Sequence, residues 1–408
     1  MAGGDSGAEG DTVFDVLLHG DVWDAESGHR AAQWVGVRDG TIAHVGPDHP
    51  GDARAEYEVG TLTPSLIDTH VHLVWDGSAD PVATLRAESE QELVIRAIEN
   101  ASETLRGGVT TVRDLGSTAD VAVTVAQAVR AGRIQGPRVL ASGRTVVITH
   151  GHDPFWGRFS DGPQDCRQAV RELRGAGADL IKVSATGGVY GQAVGEDPGA
   201  AELSLAELEA IVDEAARFDL PVAAHAVGTE GIDNAIAAGV DTIEHGNLAS
   251  DDALDRMAAA DVAYDPTLFV YREIAEAGDA PDYAAANAQG VVDRHWTVAE
   301  AALARDDIRV IAGSDAGSPG VPHPGLHLEL ACLVEAGATP EDALDAATAA
   351  AAAELGHPDL GVVAEGTPAD VVGFDGNPLA DISVTGRPTV VLKHGAVVDA
   401  KHAETQNE

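Results

Sequence analysis

The chain has 408 residues, 44% of them hydrophobic, enough for one large domain with a smaller companion, which excludes global disorder. Its 67 acidic residues against 25 basic ones give a net charge of −42, which repels phosphate backbones and anionic lipid and excludes both as expected partners. Two cysteines, Cys166 and Cys332, offer neither a disulfide framework nor a cysteine metal site, and no apolar run is long enough to cross a bilayer.

In chain order, residues 1–12 carry neither the basic nor the apolar segment of a signal peptide and read as a disordered acidic tail, so a cytoplasmic protein is expected. Residues 13–64 alternate β-branched stretches with Gly-Asp and Asp-Gly turn signals, and residues 366–408 repeat that texture. The two stretches predict a small β-sandwich domain built from both termini. Between them, over 65–365, strand-like segments at 66–70, 109–114, 138–142, 179–184, 221–225, 241–246, 262–267 and 309–315 are separated by Gly-rich loops and amphipathic helices. One helix opens with Ser204 three residues before Glu207, a capping-box signature. Eight strand-then-helix units predict an α/β fold, a (β/α)8 TIM-like barrel whose active site lies at the C-terminal strand ends. A doubly wound sheet is the competing architecture, but it gives no reason for so many strands to end in polar residues.

The carboxylates are spread along the whole chain, and lysine is nearly absent: only Lys182, Lys393 and Lys401 occur. That combination predicts a halophilic protein whose self-repulsion is screened by molar salt. It also makes a lysine kept inside an apolar strand informative.

Strand ends carry the chemistry. The first ends Asp68-Thr69-His70-Val71-His72. In extended chain, residues two apart face one side, so both imidazoles can reach one metal. Sixteen histidines will give some such pairs by chance, and the place at an apolar strand end is what raises this one. Lys182 stands in the apolar fourth strand, where burial depresses the amine pKa and a neutral amine can take up carbon dioxide as a carbamate. A snorkelling or ion-paired lysine is the alternative. His225 and His245 end the fifth and sixth strands, and each alone is as readily a satisfied core histidine. Asp315 follows the eighth strand before a Gly turn, where a helix cap is the common alternative.

The segments around these residues, TPSLIDTHVHL, GVTTVRD, LIKVSATGG, PVAAHAVGTEGIDNAIAAGVDTIEHG and IAGSDAG, resemble the amidohydrolase superfamily in order and over nearly the whole chain. The resemblance falls in its binuclear-metal branch, in the imidazolonepropionase-related, prolidase-like group. It implies that His70 and His72 bind one divalent ion and His225 and His245 a second, with zinc the default metal. It implies further that carbamylated Lys182 bridges the ions, and that Asp315 binds the first ion and serves as general base for a metal-bridging hydroxide. His152, in the loop after the third strand, matches a histidine that contacts the substrate carboxylate in prolidase-like relatives; a turn-stabilising role is the alternative. Those relatives carry a tyrosine soon after the fifth-strand histidine, where this chain has Ala226-Val227. Tyr190 and Tyr264 are aromatic candidates for substrate contact.

The expected activity is therefore metal-dependent hydrolysis of an amide bond in a small dipeptide-like or N-acyl amino-acid substrate. Opening of a cyclic amide, as in imidazolonepropionase, and lactone or phosphoester hydrolysis are the enzymatic alternatives; a non-catalytic barrel scaffold is the non-enzymatic one. Homo-oligomerisation is left open.

Overall fold

Asp39 and Gly40, both with positive φ, make the tight turn that joins two of the four N-terminal strands. The computed structural model describes residues 13–191 and 196–400; the acidic tail expected over 1–12 lies outside the described residues. The N-terminal strands are β1 (Val16–Asp24), β2 (Gly28–Arg38), β3 (Thr41–Gly46) and β4 (Glu56–Pro64). The strands β5 (Leu66–Val71), β6 (Val109–Asp114) and β7 (Arg138–Ala141) follow, then the short β8 (Val146–Val147) and β9 (Arg158–Phe159). After them come β10 (Ile181–Ser184), β11 (Val222–Ala226), β12 (Thr242–His245) and β13 (Ala263–Asp265). The chain closes with β14 (Val371–Phe374), β15 (Val390–Lys393) and β16 (Ala396–Ala400).

The terminal strands form one seven-stranded sheet, in the order β16-β15-β14-β4-β1-β2-β3. β4 is the seam, parallel to β1 on one side and antiparallel to β14 on the other. Both termini build the small β domain, its strands joined in one hydrogen-bonded sheet whose β3 edge returns to residues 366–369, where Ile42 N–H donates to Thr367 at 2.9 Å. The strands were legible; the β4–β14 pairing that fuses the halves is a contact across some three hundred residues that local pattern does not encode. Leu18, Val22, Val35, Leu62, Val371 and Val390 pack into its own apolar core.

The middle of the chain is α/β. β5, β6 and β7 pair in parallel, and a second parallel sheet runs β13-β12-β11-β10-β8-β9. β5, β6, β10, β11, β12 and β13 are buried at every position, as strands covered on both faces must be. Helices follow the strands and bury one stripe each; in Glu90–Arg106 the stripe is Leu93, Ala97, Ala101 and Leu105. The Ser204–Glu207 capping box forms, with the Ser204 N–H donating to Glu207 at 2.9 Å.

The two parallel sheets are linked by the extended segment 309–316. Ile311 N–H donates to Tyr264 of β13 at 2.9 Å, and Thr69 and His72 N–H donate back to Ala312 and Ala316 at 3.1 and 2.9 Å. The eighth strand expected from sequence is this segment. It joins its neighbours through isolated bridges, Val310 to Tyr264 and Ala316 to Val71, and Asp315 within it adopts a left-handed conformation (φ 56°). No helix among the described residues is long and apolar enough to cross a membrane.

Candidate metal centre

His70 lies on β5 and His72 just past its end, Lys182 lies on β10, His225 on β11, His245 ends β12, and Asp315 follows on the linking segment. All six line one cavity. Asp315 Oδ1 lies 3.8 Å from His70 Nε2 and 3.4 Å from His72 Nε2. Ring centroids of His70 and His245 are 5.0 Å apart, and those of His225 and His245 are 4.8 Å apart.

Each imidazole is anchored by one nitrogen. His70 Nδ1 meets Glu244 Oε2 at 2.9 Å, and His72 Nδ1 meets the Gly116 carbonyl at 3.2 Å. His245 Nδ1 meets Thr267 Oγ1 at 2.6 Å, and His225 Nε2 meets the Gly187 carbonyl at 3.0 Å. Because the Thr267 hydroxyl donates to Pro266 at 2.7 Å, it accepts from His245. Tying one ring nitrogen as a donor fixes the tautomer and leaves the other as a lone-pair donor, the arrangement metal-binding histidines use. His245 (φ 69°) and Asp315 are both non-glycine residues in the left-handed region, a strain that concentrates at functional sites.

The electrostatics fit a cation site. Burial holds His70 down to about 4, and burial with neighbouring positive groups holds His225 and His245 well below the usual imidazole range. Burial opposes ionisation of Asp315, but His70 and His72 outweigh it and keep the carboxyl well below its ordinary value. Burial likewise pushes the Lys182 ammonium down, against the pull of Glu244, Asp153 and Asp315. His72 differs: burial disfavours its charge, but Asp315 and Asp114 outweigh burial and raise it. Imidazoles beside an anionic carboxylate in a dry pocket are a donor set for a divalent ion.

Among the described residues, two groups of side chains are close enough to hold an ion: His70, His245 and Asp315, and His70, Glu244 and Asp265. A guanidinium already fills the second, since Arg113 Nη2 lies 2.8 Å from Glu244 and 3.5 Å from Asp265. The first lies within the cavity that the six residues line, and that cavity is the candidate centre.

The substrate-side residues divide. His152 lines the cavity and stacks on His225 at 4.3 Å. A Cβ at position 188 would fall 2.2 Å from His152 Cε1, so Gly188 is what admits the ring. Protein carboxylates face both its nitrogens, Glu196 at Nδ1 and Asp153 at Nε2 (3.2 Å), while its N–H donates to Glu202 at 2.8 Å. Burial disfavours its charge, yet Asp153 and Glu196 outweigh burial and raise it to about 9. The Tyr190 ring lines the cavity, with its hydroxyl donating to Asp80 at 2.6 Å. Tyr264 does not face the cavity. Its hydroxyl donates to the His245 carbonyl at 3.0 Å, so this tyrosine braces β12 and its proposed substrate contact is corrected.

Trp75, Val270, Tyr271 and Ile274 also line the cavity, giving it an apolar wall that sequence reasoning missed. Glu244 was missed as well; it stands beside a candidate ligand histidine in a strand buried at every position.

A model of the amidohydrolase family matches residues 61–398, most of the chain. The chain belongs to the amidohydrolase family. It is 31% identical to ochratoxinase of Aspergillus niger over 401 residues, covering 87% of this chain and 80% of that one. It is 27% identical to an imidazolonepropionase of Ectopseudomonas mendocina over 416 residues, covering 91% and 94%. Among solved structures, a Xaa-Pro dipeptidase with bound methionine superposes with a TM-score of 0.85 at 28% identity, covering 94% of this chain and 99% of that one. The crystal structure of A. niger ochratoxinase gives 0.84 at 29%, covering 94% and 96%. This amidohydrolase thus falls in the imidazolonepropionase- and prolidase-like group, as a metal-dependent hydrolase of carbon–nitrogen bonds.

Proposed function

We propose that this amidohydrolase cleaves the amide bond of a dipeptide-like or N-acyl amino-acid substrate at a pair of divalent ions, zinc by default. His70, His72 and Asp315 would hold one ion, His225 and His245 the other, and Lys182 as its carbamate would stand between them. The observation that carries this reading is the convergence of these six side chains on one cavity, each imidazole anchored at its outer nitrogen. The 309–316 segment would close the parallel strands into a (β/α)8 barrel over 65–365, flanked by the small β domain of 13–64 and 366–400; the rest of the 366–408 expected from sequence lies outside the described residues. A cytoplasmic location is part of the same proposal.

Divalent ions there would polarise the scissile carbonyl and lower the pKa of a bound water toward about 7. The chain's own residues do the rest. Ser318 Oγ–H donates to Asp315 Oδ1 at 2.8 Å, so Oδ2 is the oxygen left to accept a proton from that water and return it to the leaving nitrogen. Trp75, Tyr190, Val270 and Ile274 exclude solvent and take the substrate's apolar part. In the carbamylation step, the Lys182 amine nitrogen bonds to the carbon of carbon dioxide and one proton leaves to solvent.

The substrate carboxylate would displace Asp153 from His152 Nε2. Losing such a charge-assisted hydrogen bond is worth about 1.5–3 kcal/mol, so His152→Ala should lower kcat/KM by roughly one to two orders of magnitude on acids. Measured on a panel of dipeptides and N-acyl amino acids with their amidated counterparts, the amides should already be poor and barely affected. Equal losses on acid and amide would remove the carboxylate contact. Cleavage of lactones with no amide cleaved would remove the amide reading itself.

A further inference from the structure

We infer that Arg113 is a positioning residue for one half of the metal centre, holding Glu244 against His70 so that the ion on His70, His72 and Asp315 depends on it. The inference rests on the binuclear reading above. Arg113 stands on β6 and is 3% exposed. Its guanidinium reaches three ways. Nε donates to the Thr69 carbonyl at 2.6 Å, Nη1 to Thr242 Oγ1 at 3.2 Å, and Nη2 to Glu244 Oε1 at 2.8 Å. Glu244 is then shared, because its other oxygen takes His70 Nδ1 at 2.9 Å. Thr242 Oγ–H also bonds Glu244 Oε1.

The neighbouring Asp265 extends the brace. It accepts the Thr69 hydroxyl at 2.6 Å and the Gly313 N–H at 2.9 Å, and Gly313 lies two residues before Asp315. A Cβ at position 313 would fall 2.4 Å from His70 Cβ, so glycine is needed for this approach. One buried cation therefore ties together β5, β12, β13 and the segment bearing Asp315. Glu244 and Asp265 are both fully buried, and the guanidinium is the counter-charge between them. Without it, two carboxylates would share a dry space that cannot keep both charged and in place.

The effect should be one-sided. His225 is anchored to the Gly187 carbonyl and His245 to Thr267, and neither anchor belongs to the Arg113 network. Arginine is also specifically required, since a lysine offers one compact charge where three fixed directions are used.

The test is a two-step zinc titration of the full chain in molar potassium chloride, with a chromophoric chelator as competitor. The step lost in His72→Ala identifies the ion on the His70 side. Losing an outer-shell partner of a metal ligand typically costs 10–100-fold in affinity. Arg113→Met and Glu244→Gln should each weaken the His70 step by about that factor and leave the other step within about threefold. The double variant should be no worse than Arg113→Met, because both act through one contact. Arg113→Lys should fall between wild type and Arg113→Met. Should Arg113→Met fail to fold, Glu244→Gln, which keeps the side-chain volume, decides the matter. An unchanged His70 step in Glu244→Gln, equal weakening of both steps, or losses that multiply in the double variant would each overturn the inference. A wild-type chain that binds no zinc would overturn the binuclear reading and this inference with it.

Discussion

Lys182→Ala is expected to leave the purified chain with little bound metal and to lower kcat/KM more than about 100-fold, beyond what loss of an outer-shell partner costs. Lys182 is 2% exposed on a strand buried at every position, and this chain has discarded lysine almost everywhere else. Burial disfavours its ammonium, which favours the neutral amine that carbamylation needs. Its β10 neighbour in the sheet is β11, which carries His225, and β12 with His245 lies next beyond. Alanine would remove the proposed bridge and leave the imidazoles anchored, so a short carboxylic acid in solution should restore part of the metal and part of the rate. Metal analysis and kinetics on the same preparation decide it. One ion per chain in wild type and variant alike, with activity unchanged, would remove Lys182 from the centre.

The second large effect is expected from salt. Two electrostatic terms oppose each other. Arginines pair with carboxylates over the surface, among them Arg158 with Glu172 and Asp165, Arg256 with Asp252, and Arg305 with Asp255 and Asp307. Salt weakens such pairs, but each is worth only about 0–1 kcal/mol. A net charge of −42 leaves most carboxylates without a partner, and their mutual repulsion is unscreened when the Debye length is about 30 Å at 0.01 M, against about 3 Å at 1 M. Repulsion should win. The Tm is expected to rise by more than about 10 °C between low and molar salt, a shift of several kcal/mol for a chain of this size, and activity should recover in parallel. A Tm independent of salt from about 0.05 M to 3 M would mean that the acidity serves solubility alone.

Much of this site could be read from local pattern because its parts lie at strand ends. The histidine pair at the end of β5 and the histidines at or near the ends of β11 and β12 stand out where a strand gives way to a loop, and Lys182 stands out as a charge inside the apolar β10; such contrasts are visible in one dimension. What could not be read depends on partners far away in sequence. Arg113 in its Thr-Thr-Val-Arg-Asp strand looked like an ordinary family segment, and only the pairing of β5 with β6 and the approach of β12 reveal what its guanidinium holds. Tyr264 failed for a related reason. Strand periodicity says that its side chain is buried, but not that its hydroxyl turns toward the His245 carbonyl and away from the cavity. His152 was found from its loop, whereas its carboxylate partners Glu196 and Glu202 come from beyond β10.

The most direct test of the central claim is anomalous X-ray scattering from crystals of the zinc-loaded wild-type chain grown at high salt. Two zinc peaks are expected in one cavity, one contacted by His70, His72 and Asp315 and the other by His225 and His245, with added density on Lys182 between them. A single peak, or zinc held by Glu244 and Asp265 in place of the Arg113 guanidinium, would contradict that claim.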